Sequence, residues 1–225
     1  MLLTGGAMFA MWFFLTLYMQ DVLRFSPLVT GLGFLPQTAA IAIGAQVASR
    51  LVTRVGPRLP LVVGALMSAA GLAWLSRAGA GGSYLGSVFG GADLATLGMA
   101  LGITPLAFAA TSGVAPNEAG LASGVLNTSR QVGASVALAA FATLAADRTR
   151  SLLAPPHPHR LTVALSSGFS RGFLAAAVVA AVGALSALAL PRQPRRAPAA
   201  AALSAVEGDG HVAPAAPALA LEPED

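Results

Sequence analysis

Cysteine and lysine are both absent from this 225-residue chain, and charge of either sign is scarce. Without cysteine there is no disulfide framework, no thiolate metal site and no cysteine nucleophile. Charged residues make up 10% of the sequence, against about a quarter in ordinary soluble domains. So little charge cannot cover the surface of a soluble domain of this size, which excludes a soluble enzyme. All 13 basic residues are arginine, and they do not cluster with interleaved aromatics. The isoelectric point near 11.0 therefore does not mark a nucleic-acid binder. The charge is also unevenly placed. Residues 1–190 hold ten Arg and four acids, net +6, whereas residues 191–225 hold three Arg and five acids, net −2. What fills the sequence is apolar, at 56% hydrophobic residues. This is the composition of an integral membrane protein.

A bilayer core of about 30 Å needs roughly 20 mostly apolar residues in a helix. Six such runs are present, at residues 2–20, 28–49, 60–75, 88–112, 121–146 and 172–190. Each is apolar on all faces, as a lipid-embedded helix requires, and none alternates as a transmembrane β-strand would. The first run lacks the basic leader of a signal peptide and is longer than a signal core, so it reads as a retained helix. The connections between runs are short, except a Pro-rich loop expected at residues 147–171. The tail, 191–225, is rich in Ala and Pro without apolar periodicity and reads as disordered. Orientation by the distribution of arginine is a tie, six on each side, with the dense Arg50, Arg54, Arg58 loop favouring its own side as cytoplasmic.

Inside the runs, Gly98 and Gly102, Gly120 and Gly124, and Ala65 and Ala69 each stand four apart, a spacing that lets helix backbones approach in lipid. Pro36 and Pro105 each remove a backbone hydrogen bond and predict kinks in the second and fourth runs. Arg130 falls about ten residues into the fifth run, roughly 14 Å along a helix. Either it faces the bundle interior or a water-filled cavity, or the helix starts later and the side chain snorkels to the interface. Asn127, Arg130 and Gln131 share one helical face. No carboxylate is expected deep in a span, because Asp21, Asp93 and Glu118 all fall near span ends. His157 and His159 flank Pro158, but two histidines without a third ligand make a poor metal site. No nucleophile–base pair or phosphate-cradling glycine loop is present, so neither catalysis nor a cofactor or metal is indicated.

Several segments resemble the C-terminal half of major facilitator superfamily transporters, most closely the fourteen-helix drug:proton antiporter branch. Residues Tyr18-Met19-Gln20-Asp21-Val22-Leu23-Arg24-Phe25-Ser26-Pro27 are similar to that branch's Tyr-Leu-Gln-x-Val-x-Gly-Tyr-Ser-Pro stretch, and Gly31 with Phe34-Leu35-Pro36 continues the similarity. The run Ala119-Gly120-Leu121-Ala122-Ser123-Gly124-Val125-Leu126-Asn127-Thr128-Ser129-Arg130-Gln131-Val132-Gly133 resembles a sequence typical of the branch and is the most specific signal in the chain. The segment from Arg50 to Arg58 resembles the superfamily's cytoplasmic Gly-x-x-x-Asp-Arg-x-Gly-Arg-Arg motif. Arg54, Gly56 and Arg58 fit, whereas Thr53 replaces the Asp that latches neighbouring helices in the family.

The resemblance covers residues 4–190 and implies six transmembrane helices forming one half of the two-half superfamily fold. It places the Arg50–Arg58 loop and the C-terminal tail in the cytoplasm, with the chain multi-pass in the plasma (inner) membrane. It further implies alternating-access export of small lipophilic compounds in exchange for protons, with the coupling acids mainly in an N-terminal half that this chain lacks. Asn127, Arg130 and Gln131 are the candidates for a substrate cavity. The rival expectation is a transport-inactive half-protein that needs a partner chain or a second copy of itself.

Overall fold

Residues 2–111, 118–155 and 159–188 are described by a computed structural model. Among them the structure is helical without a strand. Helix α1 (Leu2–Leu17) runs into a π-helical turn (Tyr18–Val22) and is followed by α2 (Pro27–Gly33), α3 (Leu35–Val55) and α4 (Arg58–Leu75). A second π-helical turn (Tyr84–Phe89) opens α5 (Gly90–Thr111), and α6 (Ala119–Leu153) and α7 (Leu161–Leu188) complete the bundle. With α2 and α3 forming one broken pass, the described residues make six helical passes. Four passes are long and apolar enough to cross a membrane by length and composition: Pro27–Val55, Arg58–Leu75, Tyr84–Leu106 and Leu161–Leu188. The first and fifth fall outside that set. The α-helical part of α1 is 16 residues long, and α6 carries the polar run Asn127 to Gln131 and the charged Asp147, Arg148 and Arg150.

Two details depart from expectation. The stretch 147–171 is not one long loop: α6 continues to Leu153 and α7 starts at Leu161. Asp147, Arg148 and Arg150 lie in the last two turns of α6, where Arg150 pairs with Asp147 at 2.9 Å and Arg148 Nε donates to Ser167 Oγ at 3.1 Å. Gly168 lets the two helices close together, since a Cβ there would fall 2.6 Å from the Ala145 carbonyl oxygen. The fourth pass also begins earlier than residue 88, because the π-helical turn adds Tyr84–Phe89 to its start. The tail at 191–225 and His157 lie outside the described residues.

The direction of each helix follows from side chains that tie the bundle's ends. Tyr18 Oη donates to the Gly79 carbonyl at 2.8 Å, Tyr84 Oη to the Gly33 carbonyl at 2.6 Å, and Ser170 Oγ to the Ala78 carbonyl at 3.4 Å. These contacts gather the end of α1, the break between α2 and α3, the end of α4, the start of α5 and the first third of α7 at one end. At the other end the Arg58 guanidinium donates to the Leu188 carbonyl, a cation meeting the negative end of the α7 dipole. Gly56, with φ of 82°, ends α3 in a conformation that favours glycine and hands the chain to Pro57 and α4.

Helix α1 holds the centre. Ala10, Met11, Leu15 and Met19 are fully buried, and Phe14 packs on Phe169 and Phe173 with ring centroids 6.1 and 5.9 Å apart. Gly172 makes that crossing possible, because a Cβ there would lie 2.5 Å from the Phe14 ring. The α4–α5 pair closes through glycine on both sides. A Cβ on Gly64 would fall 2.5 Å from the Gly98 carbonyl oxygen, and one on Gly98 the same distance from that of Gly64. Ser68 sits in this seam and bonds the Gly64 carbonyl at 2.8 Å and the Ala95 carbonyl at 3.3 Å. Without a hydrophobic drive between helices in lipid, such close backbone contact supplies the attraction.

Candidate functional site

Helix α6 positions the polar face read from the sequence. Arg130 stands eleven residues past Ala119, roughly 16 Å along the helix. Its Nη2 donates to Asn127 Oδ1 at 2.9 Å. Its Nε is buried without a partner, while the residue as a whole is half-buried and Asn127 and Gln131 are exposed. The surrounding face carries exposed Leu121, Val125, Val132 and Val136. Gly5 and Gly6 of α1 explain how the backbone of α6 is held. A Cβ on Gly5 would lie 2.9 Å from Arg130 Cγ and closer still to its carbonyl oxygen, and one on Gly6 would lie 2.5 Å from Ala137 Cβ. The lower stem of Arg130 is thus pinned against α1 while Asn127 and Gln131 look outward. Gly120 and Gly124, on the same open side, have no atom within 4 Å of a built Cβ, unlike Gly98.

A second polar group surrounds the helix break. Pro36 lacks an N–H and its ring would clash with the carbonyl four residues back, so the helix interrupts at Phe34, whose own N–H turns to the Gly31 carbonyl at 3.1 Å. The carbonyls released there are taken by side chains. With its amide nitrogen facing them, Gln37 donates to the Gly33 oxygen at 2.8 Å and the Phe34 oxygen at 3.2 Å, and Tyr84 adds its bond to Gly33. Gln37 is fully buried. Such compensation is what tolerates broken helices at membrane depth. Pro105, by contrast, lies within α5, which continues to Thr111.

Two residues carry more than the sequence reading assigned them. Asp93 is nine residues past Tyr84 in the fourth pass, not near its end, and its Oδ1 is buried without a hydrogen-bond partner. The π-helical turn hid this, because it moves the start of the span. Arg24 adopts φ of 60°, the left-handed region that favours glycine, and it occupies the Gly position of the resembled stretch. In the motif from Arg50 to Arg58, Gly56 ends α3 and Arg58 reaches the Leu188 carbonyl, as described above. Thr53, standing for the family Asp, turns its hydroxyl to the Arg50 carbonyl at 2.8 Å within its own helix. Arg54 lies beside it in the last turn of α3.

Comparison with known proteins places these features in a family. Residues 1–138 match the Major Facilitator Superfamily. The chain is 41% identical over 150 residues to the cephamycin export protein CmcT of Amycolatopsis lactamdurans, covering 66% of this chain and 31% of that protein. It is 39% identical over 151 residues to the puromycin resistance protein pur8 of Streptomyces alboniger, covering 65% and 30%. It is 34% identical over 173 residues to the multidrug resistance protein Stp of Mycobacterium tuberculosis, covering 77% and 31%. The match spans less than a third of the length of each of these relatives. An all-helical bundle of apolar passes joined by short turns, a glycine-terminated α3 with Arg58 behind it, and relatives of this kind lead to one assignment: this multi-pass membrane chain belongs to the Major Facilitator Superfamily.

Proposed function

We propose that this six-helix unit is the C-terminal half of an exporter of small lipophilic compounds, working by alternating access in exchange for protons. Asn127, Arg130 and Gln131 form its polar contribution to the substrate path. The observation that carries the reading is Arg130, a cation well inside the length of α6 whose Nε has no partner and whose Nη2 leans on exposed Asn127. A cation at membrane depth faces a protein interior or water, not lipid. The export and resistance functions named for the relatives supply the substrate class. By the same reading the chain lies in the plasma (inner) membrane, with the Arg54, Gly56 and Arg58 loop and the C-terminal tail in the cytoplasm.

The open face of α6 favours a companion reading, in which the chain is inactive alone and pairs with an N-terminal half or with a second copy. Exposed Leu121, Val125 and Val136, with Gly120 and Gly124 between them, form a surface suited to another helix. The test of the exporter reading is Arg130→Ala in the reconstituted full-length transporter, with Arg130→Lys beside it. Loss of export at normal membrane levels, with partial recovery in the Lys variant, is expected. Unchanged transport by Arg130→Ala removes Arg130 from the mechanism.

A further inference from the structure

We propose that the carboxyl of Asp93, set opposite Gln37 between α3 and α5, is a proton-binding site of this unit. The placement follows from helix registry. Gly44 of α3 meets Leu97 and Ala100 of α5, since a Cβ on Gly44 would lie 3.1 Å from the Leu97 carbonyl oxygen and 2.7 Å from Ala100 Cβ. Both helices run from the Tyr84–Gly33 end. Stepping back seven residues on α3 reaches Gln37, and stepping back four from Leu97 or seven from Ala100 reaches Asp93 on the same stripe. Tyr84, bonded to the Gly33 carbonyl at that level, lies beside the Gln37 side chain and within electrostatic reach of Asp93.

The donors around Asp93 are already engaged. Gln37 and Tyr84 give their hydrogens to the Gly33 and Phe34 carbonyls, which leaves Oδ1 unpartnered. Thr96, one turn on, is buried with its Oγ1 unpartnered as well, and so is Thr30 of α2. Among the described residues no cation pairs with Asp93. Every other titratable group on the packed elements is turned elsewhere or lies at another level. Tyr18 donates to Gly79, and Asp21 sits in the π-helical turn below it. Arg77 shares a cleft with Trp74, Ser87 and Leu94. On α3 and α4, Arg50, Arg54 and Arg58 lie near the opposite end, and on α6 Arg130 packs on Gly5. An ionised carboxylate at membrane depth with a bare oxygen is costly, and binding a proton removes the charge.

The site stands on geometry alone, while its use in coupling rests on the exporter reading. The first experiment therefore needs no transport. Infrared spectra of the purified chain in lipid nanodiscs at neutral pH are compared between wild type and Asp93→Asn, with Asp93→Glu as a variant that keeps the titrating group. The expected result is a carboxylic-acid C=O band in wild type that Asp93→Asn abolishes and Asp93→Glu retains at a shifted position. A wild-type spectrum without that band, or a band untouched in Asp93→Asn of unchanged melting temperature, overturns the proposal. The second experiment uses the full-length transporter in liposomes. Asp93→Asn is expected to lower pH-gradient-driven export at least about tenfold while leaving gradient-free substrate exchange intact. Loss of substrate binding instead, with no acid band in wild type, would identify an anchor for a cationic substrate and overturn the proton site. A wild-type protein that exports nothing while keeping the band sinks the exporter reading alone.

Discussion

Two glycine pairs that look alike in sequence should respond to the same mutation with opposite sign. Gly98→Ala places a methyl 2.5 Å from the Gly64 carbonyl oxygen, 2.5 Å from the Ser68 amide nitrogen and 2.8 Å from Met67 Cβ. Two of these atoms are backbone, so the helices must separate by about 1 Å to reach normal carbon contact distances. Overpacking of this kind costs about 1–3 kcal/mol. Separation also stretches the bond from Ser68 Oγ to the Ala95 carbonyl, already 3.3 Å, which is worth about 0.5–1.5 kcal/mol. A destabilisation of about 2–3 kcal/mol follows. Gly124→Ala meets nothing within 4 Å on an exposed helical face, where alanine is favoured over glycine by up to about 1 kcal/mol. At about 2–4 °C per kcal/mol for a chain of this size, the two variants should melt at temperatures differing by about 4–16 °C. Trp12 and Trp74 report the unfolding by intrinsic fluorescence in detergent. Equal shifts for the two variants, or a more stable Gly98→Ala, refute the reasoning that α4 and α5 close through glycine.

Arg24→Gly should stabilise the chain. The left-handed conformation costs an arginine about 1–2 kcal/mol, glycine's freedom in the unfolded chain returns about 0.4–1 kcal/mol of that, and the exposed side chain has no bond to lose; a rise of about 1–4 °C in the same melt is expected, and none for Arg24→Ala. Gly56→Ala should do the reverse by about 1–2 kcal/mol, from φ of 82° alone, since open space surrounds the position, and melting that matches wild type would contradict it.

Much of this organisation is written in the sequence. Run length and the scarcity of charge give an all-helical membrane bundle, and the Ser26-Pro27 pair marks a helix start that the structure realises, with Ser26 Oγ accepting from the Val29 N–H at 3.3 Å. The motif from Ala119 to Gly133 points to the family by its residues alone. What is not legible depends on three-dimensional partners. Gly98 and Gly124 share a spacing, yet only the fold shows that one meets Gly64 and the other meets nothing. The charged residues from Asp147 to Arg150 resemble a loop because charge ends a span, but a helix can outrun the bilayer, and α6 does. Asp93 was misplaced by a π-helical turn, which has no sequence signature of its own and shifts a span's start by a whole turn. Arg24 sits where the resembled stretch has glycine, a signal open to a reader who asks which backbone angle that glycine serves.

The proposed export path requires the polar face of α6 to lie along water. This chain has no cysteine, so once any cysteine elsewhere in the full transporter is replaced, single substitutions Asn127→Cys and Gln131→Cys can be probed with a charged, membrane-impermeant thiol reagent in membranes containing it, with Leu185→Cys on exposed α7 as the lipid-facing control. Rapid labelling is expected at 127 and 131, slowed by a lipophilic transported compound, and none at 185. Labelling at 127 and 131 as slow as at 185, with or without that compound, would contradict it.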